Sequence, residues 1–222
     1  CSPTRCFPGW WSRWGPSCTP SDPPARSTKF HFETNHIRIW QNRLSRRGDS
    51  PSHCMLEGMR LIAAYIETAV KDGSNIEARE KVAMGSLLGG FCLGPVNTAG
   101  VHALSYPLGS MFHLAHGLSN ALLLPYVMEY NIPAATKKYA EVAIALGCDR
   151  KETDEATAYA GVEKIRELIK ACGIPATLKE VNVPESAIPQ MAVDAMKIQR
   201  LLKNNPRLIE ENDAIEIYKS AY

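Results

Sequence analysis

From residue 50 onward the apolar positions recur with a helical period. Ser50 followed by Pro51 offers a capping hydroxyl and a proline at the first helical position. Met55, Met59, Ile62, Ile66 and Ala69 then fall three or four residues apart, which predicts a helix that Asp72-Gly73 closes. A second helix is predicted over roughly 76–92, carrying Gly85, Ser86, Gly89 and Gly90. Small residues four apart let another backbone approach closely, although each Gly costs about 1 kcal/mol of helix propensity, so this helix is expected to be tightly packed and buried. Further helices are predicted over 98–106, ended by Pro107, and over 116–130, 133–146 and 152–172, with Gly173 and Pro175 as the stop after the last. Within 152–172 the apolar stripe reads Ala156, Tyr159, Ala160, Ile165, Leu168 and Ile169, with Glu163, Lys164, Arg166 and Glu167 on the wet side. Two more helices are predicted over 184–202 and 213–221. Strand signals are nearly absent after residue 50, so the fold class is all-α, a helical bundle of about 170 residues, long enough to bury a core.

The first fifty residues read differently. They show neither a 3.6 period nor a clean alternation, and clusters such as CSPTRCFPGWWSRWGPSCTPSDPPARS would break any helix. The stretch 29–40 alternates like a strand, with nothing nearby to pair with. All four tryptophans lie here, as do eight basic and only three acidic residues, a balance of +5. The rest of the chain balances at −3, giving the whole +2. Residues 1–53 are therefore expected to be an atypical basic segment, either a disordered arm or the product of an out-of-frame or misjoined reading, ahead of a helical domain over 54–222.

Composition narrows the partners. With 45% hydrophobic and 22% charged residues the chain is of ordinary globular character. No apolar run approaches the ~18 residues of a membrane span, and the near-neutral charge argues against nucleic acid as the main partner. The seven cysteines are odd in number and show no CxxC pairing; Cys92, Cys148 and Cys172 sit among small apolar residues. Free thiols in a reducing, cytoplasmic setting are expected.

Candidate chemistry concentrates in GVHALSYPLGSMFHLAHGLSNALLLPYV, residues 100–127, which holds His102, His113 and His116. His102 and His116 are too far apart in sequence for one face of one helix, but across a bend both imidazoles can point into one space. Neutral imidazole suits a first-row divalent cation such as Fe or Zn. On spacing alone, a metal pair and two core or capping histidines both stay open.

The same stretch resembles the signature of the iron-containing (group III) alcohol dehydrogenases in their C-terminal helical domain. The resemblance lies in an HAxxxPLG segment at His102–Gly109, then His116-Gly117 opening a helix. NAxxLPxVxxxN follows, met by Asn120, Ala121, Leu124, Pro125, Val127 and Asn131. DGSNIEARE and the ending DAMKIQRLLKNNPRLIEENDAIEIYKSAY extend it over roughly Cys54 to Tyr222. It implies an NAD(P)-dependent oxidoreductase that interconverts alcohols with aldehydes or ketones, acting on small molecules, with Fe²⁺ or alternatively Zn²⁺ as Lewis acid. It implies four protein ligands, an Asp, a His four residues later, and two further His at the positions of His102 and His116. Association through the helical domain as a homo-oligomer is consistent with it.

Two departures accompany the resemblance. Where many members carry a further His that relays a proton, this chain has Tyr106, a phenol that can donate and accept but needs tuning to act as a base. A structural tyrosine packed before Pro107 is the other reading. His113 is an alternative relay, with a surface or pocket-lining role the more ordinary expectation. No convincing Asp-x-x-x-His helix appears upstream: Asp49 and His53 have the spacing, but Pro51 lies between them. The Gly-rich dinucleotide domain is also missing. The expectation is thus a C-terminal part with half a metal site, inactive alone, with a non-catalytic helical remnant or oligomerisation subunit as the alternative.

Overall fold

The computed structural model describes residues 50–96 and 98–222. Of the atypical segment expected over 1–53, residues 1–49 lie outside the described residues, and with them the alternation at 29–40 and Asp49. Helix α1 spans Ser50–Lys71, α2 Ile76–Val96, α3 Gly100–Phe112, α4 His116–Ala145 and α5 Asp154–Ala171. Short 3-10 turns at Lys179–Val181 and Glu185–Ala187 lead into α6 Ile188–Met196, α7 Gln199–Leu202 and α8 Glu211–Ser220. Among the described residues there is no strand, in agreement with the all-α expectation. No helix among them is long and apolar enough to cross a membrane, and Cys54, Cys148 and Cys172 are free thiols.

The α1 stripe is buried as its period requires: Met55, Met59, Ile62, Ile66 and Ala69 are all in the core. Helix α2 packs along it because Gly85 carries no side chain. A Cβ there would lie 2.7 Å from the Gly58 carbonyl oxygen and 2.8 Å from Ile62 Cγ1. The expectation that α2 is buried holds on that face alone, for Met84, Leu87 and Phe91 on the other side are exposed.

Pro107 does not end α3, contrary to the sequence reading. The helix runs on to Phe112, with Leu104 and Leu108 fully buried on either side of the proline. Burying two leucines stabilises by about 1.5–3 kcal/mol each, enough to offset the ~3 kcal/mol of an internal proline. The stop comes at His113, in the left-handed region at φ 56°, whose N–H donates to Gly109 O at 3.1 Å.

The helices predicted over 116–130 and 133–146 are joined in α4, which contains Pro125 and Pro133 and bends at Ala135 (φ −150°, ψ 35°). The proline at 133 has no N–H for the carbonyl four residues back, so the break is a kink two residues later rather than a loop. Helix α5 lies along α4, where Gly161 approaches so closely that a Cβ would be 2.7 Å from Ala143 Cβ. That contact turns the stripe read for α5. Ala158, Val162, Ile165 and Ile169 are buried, while Tyr159 is exposed. Arg166 links the pair, donating to Glu129 Oε1 on α4 at 2.9 Å and Glu163 Oε1 at 2.8 Å, its guanidinium over the Tyr126 ring. Thr153 caps α5 by accepting from the Ala156 N–H at 3.0 Å, and Gly173 (φ 65°) provides the predicted stop.

The span predicted as one helix over 184–202 is broken into the Glu185–Ala187 turn, α6 and α7, with Ile198 non-helical at φ −94°, ψ 48°. Helix α8 is opened by a reciprocal capping box between Glu210 and Asp213. Its buried Tyr218 donates to the Leu104 carbonyl of α3 at 2.6 Å. Asn131 and Asn205 exchange amide hydrogen bonds at 3.1 and 2.6 Å, tying the segment after α7 to α4. Beside them Arg207 lies over the Tyr130 ring at 4.0 Å, and the Tyr130 hydroxyl donates to Leu208 O. Burial, and then the neighbouring Asp213 carboxylate, push that phenol up to about 12.

The two glycines of α2 make opposite predictions for one substitution. Gly85→Ala sets a Cβ against the α1 backbone and is expected to lower stability by about 1–3 kcal/mol. Gly90→Ala meets nothing within 4 Å and is expected to raise it by about 0.5–1 kcal/mol through helix propensity. Urea unfolding of both variants checks the pair, and equal signs would contradict the packing described.

Candidate metal centre

Helix α3 and the start of α4 are joined by residues 113–115, and the reversal brings His102 and His116 together. His102 is buried at 3% exposure and His116 is half-buried at the first position of α4. Their ring centroids are 5.1 Å apart with planes inclined at 64°. Two imidazoles bonded to one tetrahedral ion at the usual ~2.0–2.1 Å have ring centres about 5 Å apart, so the donor set and its spacing fit a shared divalent cation. Among the described residues no third His, Cys, Asp or Glu completes a group that could hold a metal.

Asn120 orients the second imidazole. One helical turn beyond His116, its Nδ2 lies 2.9 Å from the His116 carbonyl oxygen, which can only accept, so that atom is the amide nitrogen. The same nitrogen is 3.2 Å from His116 Nε2. An amide N–H only donates, so Nε2 accepts and the ring is in the tautomer protonated at Nδ1. The lone pair that Asn120 holds is the one an ion at Nε2 would use. The bond from Asn120 to the carbonyl would survive that exchange.

Tyr106 stands on the same side of α3 as His102. Its ring stacks on His116 at 5.7 Å between centroids, with planes 19° apart, and it is 41% exposed. An open cavity of about 500 Å³ begins here, lined by Ser105, Tyr106, Pro107, Leu114, His116 and Asp194 among others. His113, the alternative relay, is exposed on the loop and is not among the lining residues. Asp194 Oδ1 accepts from Lys197 Nζ at 2.5 Å. That bond and one from Gln190 hold its carboxyl below the usual carboxylate range.

The start of α3 is fixed from outside. A Cβ on Gly100 would lie 2.6 Å from Asn205 Oδ1 and 2.7 Å from Ile209 Cδ1, so a side chain there would have to displace the Asn205 amide that Asn131 holds. His102, His116 and Tyr106, each singled out from sequence, are thus brought together. Asp49 lies outside the described residues, and nothing is described of the His53 side chain. The sequence reading did not assign Asn120 or Asp194 a part in the site. The i, i+4 spacing from His116 is a signal for Asn120, whereas Asp194 reaches the cavity only through the packing of α6 on α3.

The arrangement is an all-helical body with an imidazole pair at the edge of an open cavity. The family model for the "Fe-containing alcohol dehydrogenase family, C-terminal" matches residues 49–222. The long-chain-alcohol dehydrogenase 1 of Geobacillus thermodenitrificans is 42% identical over 165 residues, covering 74% of this chain and 42% of that protein. The 1,3-propanediol dehydrogenase of Citrobacter freundii is 37% identical over 169 residues, covering 75% and 43%. A solved 1,3-propanediol oxidoreductase superposes with TM-score 0.83 at 30% identity, over 89% of this chain and 51% of that one. The chain belongs to the iron-containing alcohol dehydrogenase family, as a C-terminal part spanning less than half the length of these curated relatives.

Asn120→Ala is expected to release the His116 ring and lower stability by about 1 kcal/mol, since the half-buried imidazole loses its hydrogen bond. Chemical denaturation gives the stability. Nitrogen NMR of the imidazoles reads the ring, and an unchanged His116 Nε2 resonance would contradict the assigned contact.

Proposed function

We propose that this chain supplies the metal-binding part of an NAD(P)-linked alcohol dehydrogenase, interconverting small alcohols with aldehydes or ketones. The observation that carries the reading is the 5.1 Å spacing of the His102 and His116 rings beside an open cavity. The two histidines would hold a divalent ion, Fe²⁺ in the first instance and Zn²⁺ in the second, together with ligands from outside the described residues. When bound, the ion supplies Lewis-acid polarisation of a substrate oxygen, and the nicotinamide supplies hydride exchange. NAD or NADP would be held mainly by the portion that the relatives carry beyond this match. The setting we assign is cytoplasmic, with no nucleic acid or membrane partner.

The chain's own residues have separate tasks in this reading. His102 is a rigid donor because α3 is fixed at its start by Gly100 and beyond by Tyr218. His116 is aimed by Asn120. Tyr106, stacked on His116 and reaching solvent, is suited to pass a proton between the cavity and water through its hydroxyl. The named relatives act on long-chain alcohols and 1,3-propanediol, and we extend to this chain only the class of small alcohols and aldehydes. A second reading is favoured by one observation, that the described residues hold two donors and no more. On it the chain is a non-catalytic helical remnant or an oligomerisation subunit.

In enzyme assembled with the remaining part, His102→Ala and His116→Ala are each expected to lose bound metal and to lower turnover by more than the roughly 10–100-fold that an outer partner costs. Helical content should be unchanged. Metal analysis and circular dichroism check this without reference to activity, and full metal retention in either variant would refute the pair. Tyr106→Phe should keep the metal and slow turnover by about 10²-fold or more if the hydroxyl relays a proton. Unaltered turnover would leave Tyr106 a packing residue.

A further inference from the structure

The cavity beside His116 is lined from two parts of the chain. Helices α3 and α4 contribute Ser105, Tyr106, Ser110 and His116, while α6 contributes Asp194. The rest of the lining carries no polar side chain. Ser105 Oγ donates to the His102 carbonyl at 2.9 Å, and Ser110 Oγ to the Pro107 carbonyl at 3.4 Å. A hydroxyl has one proton, so toward a ligand both serines can only accept. A carboxylate likewise only accepts. The wall is thus rich in acceptors, and a bound molecule has to bring the donors.

Asp194 is the charged member of this set. Its side chain is 28% exposed, whereas that of its partner Lys197 is 68% exposed and is not part of the lining. Bonds from Lys197 and Gln190 hold the carboxyl below the usual carboxylate range, so it is ionised at neutral pH. Those two donors fill part of the roughly four lone-pair sites of a carboxylate and leave room for another. The pair lies at the surface, where water screens most of the attraction, so Lys197 does not cancel the charge on the cavity wall. Among the described residues no Lys or Arg lines the cavity. A carboxylate or phosphate placed there meets a fixed negative charge with no cation to receive it. An alkyl group covers the acceptors without satisfying them, whereas a hydroxyl or an ammonium satisfies them.

We infer that Asp194 is a specificity residue: the cavity takes alcohols and aldehydes that carry a second hydroxyl or an ammonium group, and discriminates against those that carry a carboxylate or phosphate. The inference rests on the reading of this cavity as the substrate site. It gives Asp194 no part in the chemistry itself.

The test titrates the isotopically labelled full chain with four probes of similar length: 4-aminobutan-1-ol, butane-1,4-diol, pentan-1-ol and 4-hydroxybutanoate. Dissociation constants are read from the Ser110 and Ile198 amide resonances. The amino alcohol and the diol are expected to bind more tightly than pentan-1-ol, and the hydroxy acid most weakly. The amino alcohol should exceed the hydroxy acid by about tenfold, the sum of one attraction and one repulsion at a partly exposed charge. Asp194→Asn keeps the shape and is expected to bring that ratio close to one. Lys197→Gln leaves the carboxylate without its cation and is expected to widen it by about fivefold. A merely structural role would move the ratio alike in both variants, and melting curves establish that each is folded. Equal binding of the amino alcohol and the hydroxy acid by the wild-type chain overturns the proposal, as does a ratio that Asp194→Asn leaves in place or a failure of every probe to bind. The same ratio is then measured as kcat/KM in enzyme assembled with the remaining part. Preference without turnover upholds the selectivity of the cavity and counts against the dehydrogenase reading alone. Turnover without preference does the reverse.

Discussion

The hydrogen bond from the Tyr218 hydroxyl to the Leu104 carbonyl ties the last helix of the chain to the helix that carries His102. The phenol is fully buried, and burial pushes its pKa far up, so the bond persists as a neutral donor at any ordinary pH. Much of the site's rigidity depends on it and on its counterpart at the start of α3, where Asn205 and Ile209 close over Gly100. Asn205 is held in turn by Asn131 on α4. The two imidazoles are therefore positioned by residues distributed over more than a hundred positions, although the motif that carries them is short. A binding site supported by packed helices in this way keeps its geometry better than one carried on loops.

The second constraint is the absence of charge from the segment that forms α2, α3 and the beginning of α4. Burying an unpaired carboxylate or ammonium is costly, so a long segment without either is suited to burial on several sides. Helices α3 and α4 satisfy this with buried leucines at 104, 108, 122, 123 and 124. Helix α2 satisfies it on one face. The cavity beside His116 lies open in the same region, and the one carboxylate lining it, Asp194, comes from α6 and is held by Lys197.

Most helices were legible because their signals are local. The α1 stripe, the Gly173 stop after α5 and the small residues that mark a close approach in α2 each follow from neighbouring residues. The misreadings also have local causes that distant packing overruled. Pro107 reads as a terminator, yet Leu104 and Leu108 are buried well enough to carry α3 past it. Pro133 reads as a boundary, yet α4 absorbs it as a kink at Ala135. Tyr159 reads as part of the α5 stripe, yet the close fit of Gly161 on Ala143 rotates the helix and turns it outward.

By itself the sequence determined that the chain from residue 50 onward is helical, where the first helix begins and the Gly173 stop falls, and that His102, Tyr106 and His116 are the residues to watch. These follow from periodicity, turn chemistry and a signature whose residues are close in the chain. Only the tertiary structure decided that the two imidazoles face each other 5.1 Å apart, that Asn120 holds one of them, and that Asp194 reaches the same cavity. It alone showed which side of α2 is left uncovered. The physical reason is that periodicity specifies which faces are apolar, whereas the partner of each face, and the distance between two side chains across a bend, are set by how separate helices pack.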